Sequence, residues 1–218
     1  MKPLEHEVTI HDQSIGEALY QEFFETFPAE HFEMLYDEGF PFYRTTFWYG
    51  KGAEATNVFE RMIDQLTVHA APSDEVTGVE WWFSVVSTKG SPQWLLAPHF
   101  DRSELEEKDP DKITHPEKAS VLFLNSVPYG ELVVTDQLLT RKGKRPRQPK
   151  EMRFIAPEPR RYAVFEGNLY HGVVGRMWRP EQPETLRLSM AVNYWTKRPE
   201  AAYLLESKAC LGELELGE

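Results

Sequence analysis

The sequence predicts one mainly β domain that begins with helices and has a jelly-roll core. The two amphipathic helical patterns lie within residues 1–78, whereas residues 79–195 form a series of short β-like runs. The 218 residues suit a single domain, and the 41% hydrophobic and 13% aromatic content indicates a packed interior. We therefore expect residues 1–78 to decorate a β core over 79–195, followed by a tail over 196–218.

Two amphipathic helices are predicted before the β runs begin. Residues 13–27 carry apolar side chains at helical spacing, with Asp12 and Ser14 as candidate caps. Residues 56–69 repeat this spacing. The intervening residues 29–55 are rich in Phe and Tyr and favour neither helix nor strand.

Eight short apolar runs are predicted to be strands, because turn residues separate them and no helical pattern intervenes. This arrangement is typical of a closed or two-sheet β unit, and jelly rolls use eight strands. In the tail, a short helix is predicted near residues 201–207. The predicted strands span 79–86, 93–97, 119–125, 131–135, 152–155, 162–165, 171–174 and 186–195.

Composition opposes several classes of protein. The net charge of −11 opposes binding to nucleic acid, because phosphates would be repelled. The sequence contains no run of about 18 apolar residues, so it does not predict a membrane span. The N-terminus lacks the apolar core of a signal peptide. Cys210 is the single cysteine, which fits a reducing compartment, and a cytoplasmic location is expected.

Residues 141–161 form a basic segment with nine basic and two acidic side chains. It is either a solvated loop or a lid that attracts an acidic group. As a lid, it would close over an anionic small molecule, an amino acid or an acidic peptide. Replacing Lys144, Arg145 and Arg147 with alanine should then raise the substrate KM.

Three residues are candidate metal ligands. His99 and Asp101 end an apolar run, and on a strand they share one face while Phe100 points elsewhere. His171 begins a later apolar run, where a lone histidine could also be structural. Two histidines and one carboxylate form the facial triad of non-haem Fe(II) oxygenases, which leaves metal positions open for a substrate and O₂.

The other histidines offer weaker alternatives. His115 and Glu117 form a second pair of this kind, but they follow the highly charged stretch 104–114, which reads as a loop. No buried strand would hold that pair rigid. The remaining histidines lack a partner at ligand spacing and are expected at the surface or in satisfied positions: His6, His11, His31 and His69.

Arg187 lies in the otherwise apolar run 186–195. Burying a guanidinium without a partner is costly, so Arg187 should meet an anion. Ser189 shares its face by alternation, and an Arg fork beside a hydroxyl suits a carboxylate. A salt bridge to one of the chain's own acids is the structural alternative.

Taken together, these motifs resemble those of the Fe(II)/2-oxoglutarate-dependent dioxygenases, most closely their prolyl 4-hydroxylase-like branch. The resemblance covers residues 79–195 and includes the His-x-Asp pair, the distal His and the downstream Arg-x-Ser. It extends to the run 119–125, which ends in Leu-Asn, and to residues 129–132, which resemble the Gly-Gly-x-Leu turn of that branch.

The resemblance implies a double-stranded β-helix in which His99, Asp101 and His171 bind Fe(II). 2-Oxoglutarate would chelate that iron as cosubstrate, Arg187 and Ser189 would hold its distal carboxylate, and O₂ would take the last position. The implied reaction hydroxylates a C–H bond of an amino acid, a peptide or a small metabolite and releases succinate and CO₂.

The chain also departs from the pattern of that family. Tyr129 replaces the first glycine of the turn, and Leu122 and Phe123 stand where a cosubstrate-binding tyrosine often lies. Asn125 is a candidate cosubstrate contact in that region. Asp101 keeps the carboxylate that related halogenases replace with a small residue, so halogenation is disfavoured.

Two alternatives to an oxygenase stay open at the level of sequence. One is a cupin-like metalloprotein that does not use 2-oxoglutarate, and the other is a non-catalytic binding protein with the same fold. Arg187→Ala should separate the first from an oxygenase by weakening 2-oxoglutarate binding while iron stays bound. Succinate formation should separate the second.

Overall fold

The computed structural model describes residues 7–89, 93–103, 113–138, 148–175 and 184–215, and these are mostly β with a few helices. The helices are α1 (Glu17–Thr26), α2 (Ala29–Asp37), α3 (Val58–Ala70) and α4 (Cys210–Leu214). The strands are β1 (Val8–His11), β2 (Thr46–Gly50), β3 (Gly78–Ser87), β4 (Trp94–His99), β5 (Lys118–Phe123), β6 (Leu132–Leu138), β7 (Met152–Ile155), β8 (Tyr162–Glu166), β9 (Leu169–Val174), β10 (Leu186–Trp195) and β11 (Leu204–Glu206).

The strands form two sheets. A seven-stranded sheet has the order β1–β8–β5–β10–β3–β2–β11, and a four-stranded sheet has the order β4–β9–β6–β7. Neighbouring strands are antiparallel, except that β11 runs parallel to β2. The eight predicted strands are confirmed as β3 to β10, whereas β1, β2 and β11 were not predicted.

The N-terminal helices cover one face of the seven-stranded sheet, as the sequence predicts. Phe23 of α1 lies against Phe59 of α3, with ring centroids 5.8 Å apart, and Phe59 lies 5.3 Å from Trp81 of β3. All three side chains are essentially inaccessible to solvent. Burying an aromatic or aliphatic side chain of this size contributes roughly 1.5–3 kcal/mol, so this cluster anchors the helices.

The start of α1 differs from the prediction. Its N-cap is Gly16, not Asp12 or Ser14. The Ser14 hydroxyl donates instead to the carbonyl of Arg160 at 2.9 Å, and the Asp12 carboxylate pairs with Arg161 at 2.7 Å. These polar side chains therefore tie the N-terminal segment to the turn before β8 and cannot cap the helix.

The protein has two hydrophobic clusters. The first is the helix-side core, in which side chains of the N-terminal helices pack on the seven-stranded sheet. The second lies between the two sheets. Strand β10 is buried on both faces, so its alternating side chains enter both cores. Leu188, Met190 and Val192 join the helix-side core, whereas Arg187 and Ser189 face the space between the sheets. The core members of the inter-sheet cluster are Ala119, Phe123, Leu132, Val134, Ile155, Ala163, Phe165 and Leu169.

The predicted helix over residues 201–207 is wrong. Residues 204–206 form β11 beside β2, and only then does a 3₁₀ turn at Ser207–Ala209 lead into α4. Leu205 packs against the helix-side core, and the Asn57 amide donates to the carbonyl of Ser207 at 3.4 Å. Backbone pairing with the edge of β2 therefore outweighs the weak local helical tendency of this segment.

One sequence prediction falls outside the residues that the structure describes. Residues 139–147 include Lys144, Arg145 and Arg147 of the candidate lid. Within the described part of the chain, the structure has no helix whose length and apolar character would allow it to cross a membrane.

Candidate metal and diacid site

His99, Asp101 and His171 come together where β4 and β9 pair. His99 lies opposite His171 in the ladder, and Asp101 follows β4 by two residues. The Asp101 carboxylate lies 3.5 Å from Nε2 of His99 and 3.6 Å from Nε2 of His171. One ligand atom from each residue lies within 4.8 Å of the others. The structure thus gathers two histidines and a carboxylate. The close spacing of His99 and Asp101 was predicted, and the pairing of β4 with β9 adds His171.

Hydrogen bonds to the backbone orient both imidazoles in the same way. Nδ1 of His99 contacts the carbonyl of Ala97, and Nδ1 of His171 contacts the carbonyl of Leu169, each at 2.9 Å. A carbonyl can only accept, so each Nδ1 carries its proton in the neutral ring. Each Nε2 is then the nitrogen that faces Asp101, and it is the one that could donate its lone pair to a metal bound between the three side chains.

The close approach of β9 to β4 depends on a glycine beside the distal histidine. A Cβ on Gly172 would lie 2.9 Å from Cα of Pro98 and 3.0 Å from the carbonyl oxygen of Leu96. Any larger side chain would separate the two strands. Gly172 therefore sets the spacing across which His99 and His171 face each other.

The electrostatics of the three residues favour a charged Asp101. Burial by itself would raise the pKa of Asp101, but the charge of His171, the contacts with His99 and the Asn193 amide together hold it well below its usual range. Burial lowers the pKa of His171, with smaller opposing effects from Asp101. For His99, burial acts to lower the pKa, but hydrogen bonding and charge at Asp101 raise it overall.

Asn193 is a site residue that the sequence reasoning missed. Its Nδ2 donates to Oδ2 of Asp101 at 3.0 Å, and it is 1% exposed. Asn193 lies on β10, on the same face as Arg187 and Ser189 by alternation. Extending the alternation from Ser189 by two more steps would have identified it. The bond links the two sheets and fixes one carboxylate oxygen of Asp101.

Replacing Asn193 with alanine should weaken binding of a divalent metal by about 10–100-fold, because an outer partner that orients a ligand contributes on that scale. Anaerobic Fe(II) titration by calorimetry measures this. Asn125→Ala is the matched control, because it also removes an asparagine side chain, but one that contacts the backbone of β10 and not Asp101. This control should leave metal affinity unchanged. Equal metal affinity in wild type and the Asn193→Ala variant would reject the positioning role.

Arg187 is buried between the sheets without an acidic partner among the described residues. It is 1% exposed, and its Nε donates to the carbonyl of Gly130 while Nη1 donates to the Ser189 hydroxyl, both at 2.8 Å. The guanidinium carbon lies 5.0 Å from the centre of the Phe123 ring. Burial lowers the pKa of Arg187 to about 10, so the group stays charged at neutral pH. The described residues therefore do not supply the salt bridge considered as the alternative.

Gly130 holds Arg187 in place through its backbone. Gly130 has a φ of +90°, and a Cβ there would lie 2.8 Å from Cδ of Arg187. The second glycine of the predicted turn is thus required for the conformation and for the approach of the guanidinium stem. Tyr129 at the first position leaves this contact intact.

Gly130→Ala should lower the free energy of unfolding by about 1–3 kcal/mol, because alanine is strained at positive φ. It should also displace Arg187 and weaken 2-oxoglutarate binding without changing metal affinity. Gly52→Ala is the matched control, because Gly52 has a φ of +76° with nothing within 4 Å of its Cβ position. That variant should lose stability alone. Equal 2-oxoglutarate affinities in the two variants would contradict the positioning of Arg187.

Ser189 and Asn125 differ in their relation to the site. The Ser189 hydroxyl accepts from Arg187 and donates to the carbonyl of Ser84 at 3.2 Å, so it lies beside the guanidinium as predicted. The Asn125 amide donates to the carbonyl of Leu186 at 2.8 Å and accepts from the backbone N–H of Leu188 at 2.9 Å. Both ends of that amide thus brace the start of β10, and a role of Asn125 as a cosubstrate contact stays a prediction.

Two cavities meet at His99 and Asp101. An inner cavity of about 60 Å³ lies between the sheets and is lined by His171, Arg187 and Ser189, among others. An outer cavity of about 800 Å³ includes Asn193 and opens towards solvent. Five residues line both cavities: Trp82, Ser84, Leu96, His99 and Asp101.

The aromatic side chains of the β core and its flanks lie in several locations. Trp82, Phe100 and Trp195 line the outer cavity, whereas Trp81 is buried in the helix-side core. Trp94 is half-buried and lines neither of these two cavities.

The alternative pair at His115 and Glu117 is engaged elsewhere. The Glu117 carboxylate accepts from the backbone N–H of Ser73 at 2.8 Å and from its hydroxyl. Nδ1 of His115 lies 2.8 Å from the carbonyl of Pro116. In the described part of the chain, the side chains that come close enough in a group of three or more to hold one metal ion are those of His99, Asp101 and His171.

Comparisons with known proteins give similarities at the level of structure. No protein-family model matches the chain, and no curated protein matches it. It is similar to a Pseudomonas putida prolyl-4-hydroxylase, with 14% identity over 89% of this chain and 95% of that one and a TM-score of 0.47.

Two further solved structures show the same degree of similarity. HygX from Streptomyces hygroscopicus, with nickel and 2-oxoglutarate bound, is 11% identical over 86% of this chain and 82% of that one, with a TM-score of 0.47. SnoN, a non-heme alpha-ketoglutarate-dependent epimerase from nogalamycin biosynthesis, is 12% identical over 87% and 78%, with a TM-score of 0.47. At these identities and scores, the side-chain geometry of this chain has to carry the assignment of its chemistry.

Proposed function

We propose that this protein is a 2-oxoglutarate-dependent non-haem iron oxygenase that hydroxylates a C–H bond of an amino acid, a peptide or a small metabolite. The observation that carries the proposal is a shared cavity. Two histidines and a carboxylate line the space between the two sheets, and a buried guanidinium lines the same space. Among the described residues, that guanidinium has no acidic partner. We further propose that these two sheets form a double-stranded β-helix.

The donor set fits ferrous iron. Both Nε2 atoms present lone pairs, and Asp101 is held as a carboxylate, so the three groups supply two neutral ligands and one anionic ligand. Ligand atoms at about 2.1 Å from a shared metal lie roughly 3 Å apart when they subtend a right angle. Oδ1 of Asp101 lies 3.5 Å from Nε2 of His99, and Oδ2 lies 3.6 Å from Nε2 of His171. The three ligand atoms lie within 4.8 Å of one another, so they would have to move closer together to share one ion. A site of this kind leaves positions for further ligands.

The surroundings of Arg187 fit a dicarboxylic acid. A buried cation without an acidic partner is costly, and an incoming carboxylate would neutralise it. The guanidinium, the Ser189 hydroxyl and the candidate ligands all line the inner cavity. Arg187 would therefore orient one end of 2-oxoglutarate, while His99, Asp101 and His171 hold the metal that receives the other end.

The residues of this chain have separate tasks in the proposed reaction. The three ligands bind the metal, Asn193 fixes Asp101, and Arg187 positions the diacid. Bound ferrous iron supplies the redox chemistry by which O₂ and 2-oxoglutarate oxidise a C–H bond to the alcohol, with succinate and CO₂ as coproducts. A substrate reaches this centre through the outer cavity, which shares His99 and Asp101 with the inner one.

The test measures binding and turnover separately. Anaerobic calorimetry with Fe(II), followed by 2-oxoglutarate, should give one site for each per chain. Admission of O₂ should then produce succinate and CO₂ in equal amounts. Metal binding without affinity for 2-oxoglutarate would favour the cupin-like alternative, and binding of both without succinate would favour a non-catalytic protein.

A further inference from the structure

The outer cavity has an aromatic wall contributed by two parts of the chain. One half of the wall comes from the β core and its immediate flanks, and the other half comes from α2 and the segment between α2 and β2. The core side chains are Trp82, Phe100 and Trp195, and the N-terminal side chains are Tyr36, Phe42 and Tyr43. Such a wall offers flat, polarisable faces to a ligand.

Two of these aromatic side chains are left unusually open to solvent. Tyr43 is 68% exposed and Tyr36 is 37% exposed. Keeping large aromatic surface in water is unfavourable, and where it gathers along a concave surface it marks a ligand site. The cavity volume of about 800 Å³ lies within the range of small-molecule sites.

Charge does not dominate the described wall. Apart from the candidate ligands, its formally charged lining residues are Glu80 and Arg102, which have opposite signs. Arg102 is exposed, so water screens its field. The described wall therefore provides no net charge that would select an anion or a cation.

Trp82 lies where the ligand must meet the metal. It is half-buried on β3, and it lines both cavities together with His99 and Asp101. An indole prefers an offset-stacked or edge-on neighbour at a centroid distance of about 4.5–7 Å. A ring stacked on Trp82 would thus lie next to the candidate ligands, with its substituents within reach of the centre.

We propose that the substrate carries an uncharged planar aromatic ring that stacks on Trp82, with Tyr36 and Tyr43 covering its outer side. The inference rests on the proposed oxygenase function, because it takes the outer cavity as the route of the substrate to the metal. It differs from the expectation of an anionic substrate, which depends on the basic segment and stays a separate prediction.

The experiment compares two probes with one carbon skeleton. Binding of 2-naphthylmethanol and of its saturated analogue decahydro-2-naphthylmethanol is measured by calorimetry on the Fe(II)-loaded protein without O₂. The planar probe should bind at least 10-fold more tightly. Trp82→Leu should remove at least 10-fold of its affinity, whereas Trp94→Leu, which removes an indole outside both cavities, should leave it unchanged.

A second variant tests the contribution of the outer wall, and two charged probes test whether the site prefers a neutral ligand. Tyr43→Ala changes an exposed side chain, so it should fold and should still weaken 2-naphthylmethanol binding several-fold. Equal affinity for the planar and saturated probes overturns the proposal. So does binding of 2-naphthoate or 2-naphthylmethylammonium 10-fold tighter than that of the neutral alcohol. 2-Oxoglutarate titration of the same samples tests the oxygenase proposal separately, so each can fail without the other.

Discussion

Asp101→Ala should abolish measurable Fe(II) binding at neutral pH, with a loss of affinity of at least about 100-fold. The expectation follows from the donor set: alanine removes the anionic ligand and leaves two neutral imidazoles. Loss of an outer partner alone costs about 10–100-fold, so loss of a direct ligand should exceed that. Anaerobic calorimetry with Fe(II) provides the measurement, and succinate formation should disappear with the metal.

The matched control for this variant is Glu117→Ala. It removes the carboxylate of the other His-x-acid pair, which accepts a hydrogen bond from the backbone N–H of Ser73. The control should keep wild-type metal affinity, although it loses hydrogen bonds and therefore some stability. If instead Glu117→Ala abolished metal binding and Asp101→Ala did not, the metal would bind at His115 and Glu117, which would contradict the assignment of Asp101 as a ligand.

Arg187→Met should lower the affinity for 2-oxoglutarate by about 100-fold or more, because truncating one partner of a buried charge pair costs at least 2–5 kcal/mol. Methionine keeps an apolar stem of similar length against Phe123 and removes only the charge and its donors. Anaerobic calorimetry on the Fe(II)-loaded protein measures the loss. Fe(II) affinity should be unchanged, since Arg187 touches none of the three ligands.

The same variant makes an independent prediction about stability. Replacing a buried charge by an apolar side chain of similar volume is often neutral or stabilising. The free energy of unfolding of the Arg187→Met variant without ligands should therefore stay close to that of wild type, even as diacid binding is lost. A loss of several kcal/mol with unchanged diacid affinity would mean that Arg187 is a structural cation.

Short stretches of sequence were enough to predict several residues of the candidate site, because their spacing and their immediate neighbours indicate where the side chains point. The spacing of His99 and Asp101 placed both on one face of a strand, and the apolar run around Arg187 implied a buried cation that needs an anion. Strand alternation then joined Ser189 to Arg187. The structure brings these residues around the two connected cavities.

Other features depend on pairings between distant segments, which no local pattern encodes. The parallel contact of β11 with β2 joins residues about 158 positions apart, and it replaces the predicted helix in the tail. Asn193 lies 92 positions from the carboxylate that it orients. Tyr36 and Tyr43 come from a segment whose periodicity favoured neither helix nor strand, so their place in the cavity wall required the tertiary structure.

The most direct measurement is an anaerobic crystal structure of the protein with Fe(II) and 2-oxoglutarate. Iron is expected at about 2.0–2.2 Å from Nε2 of His99, Nε2 of His171 and a carboxylate oxygen of Asp101. The diacid should extend from that iron to the guanidinium of Arg187. Iron bound away from His171, or a diacid whose distal carboxylate does not meet Arg187, would contradict the proposed function.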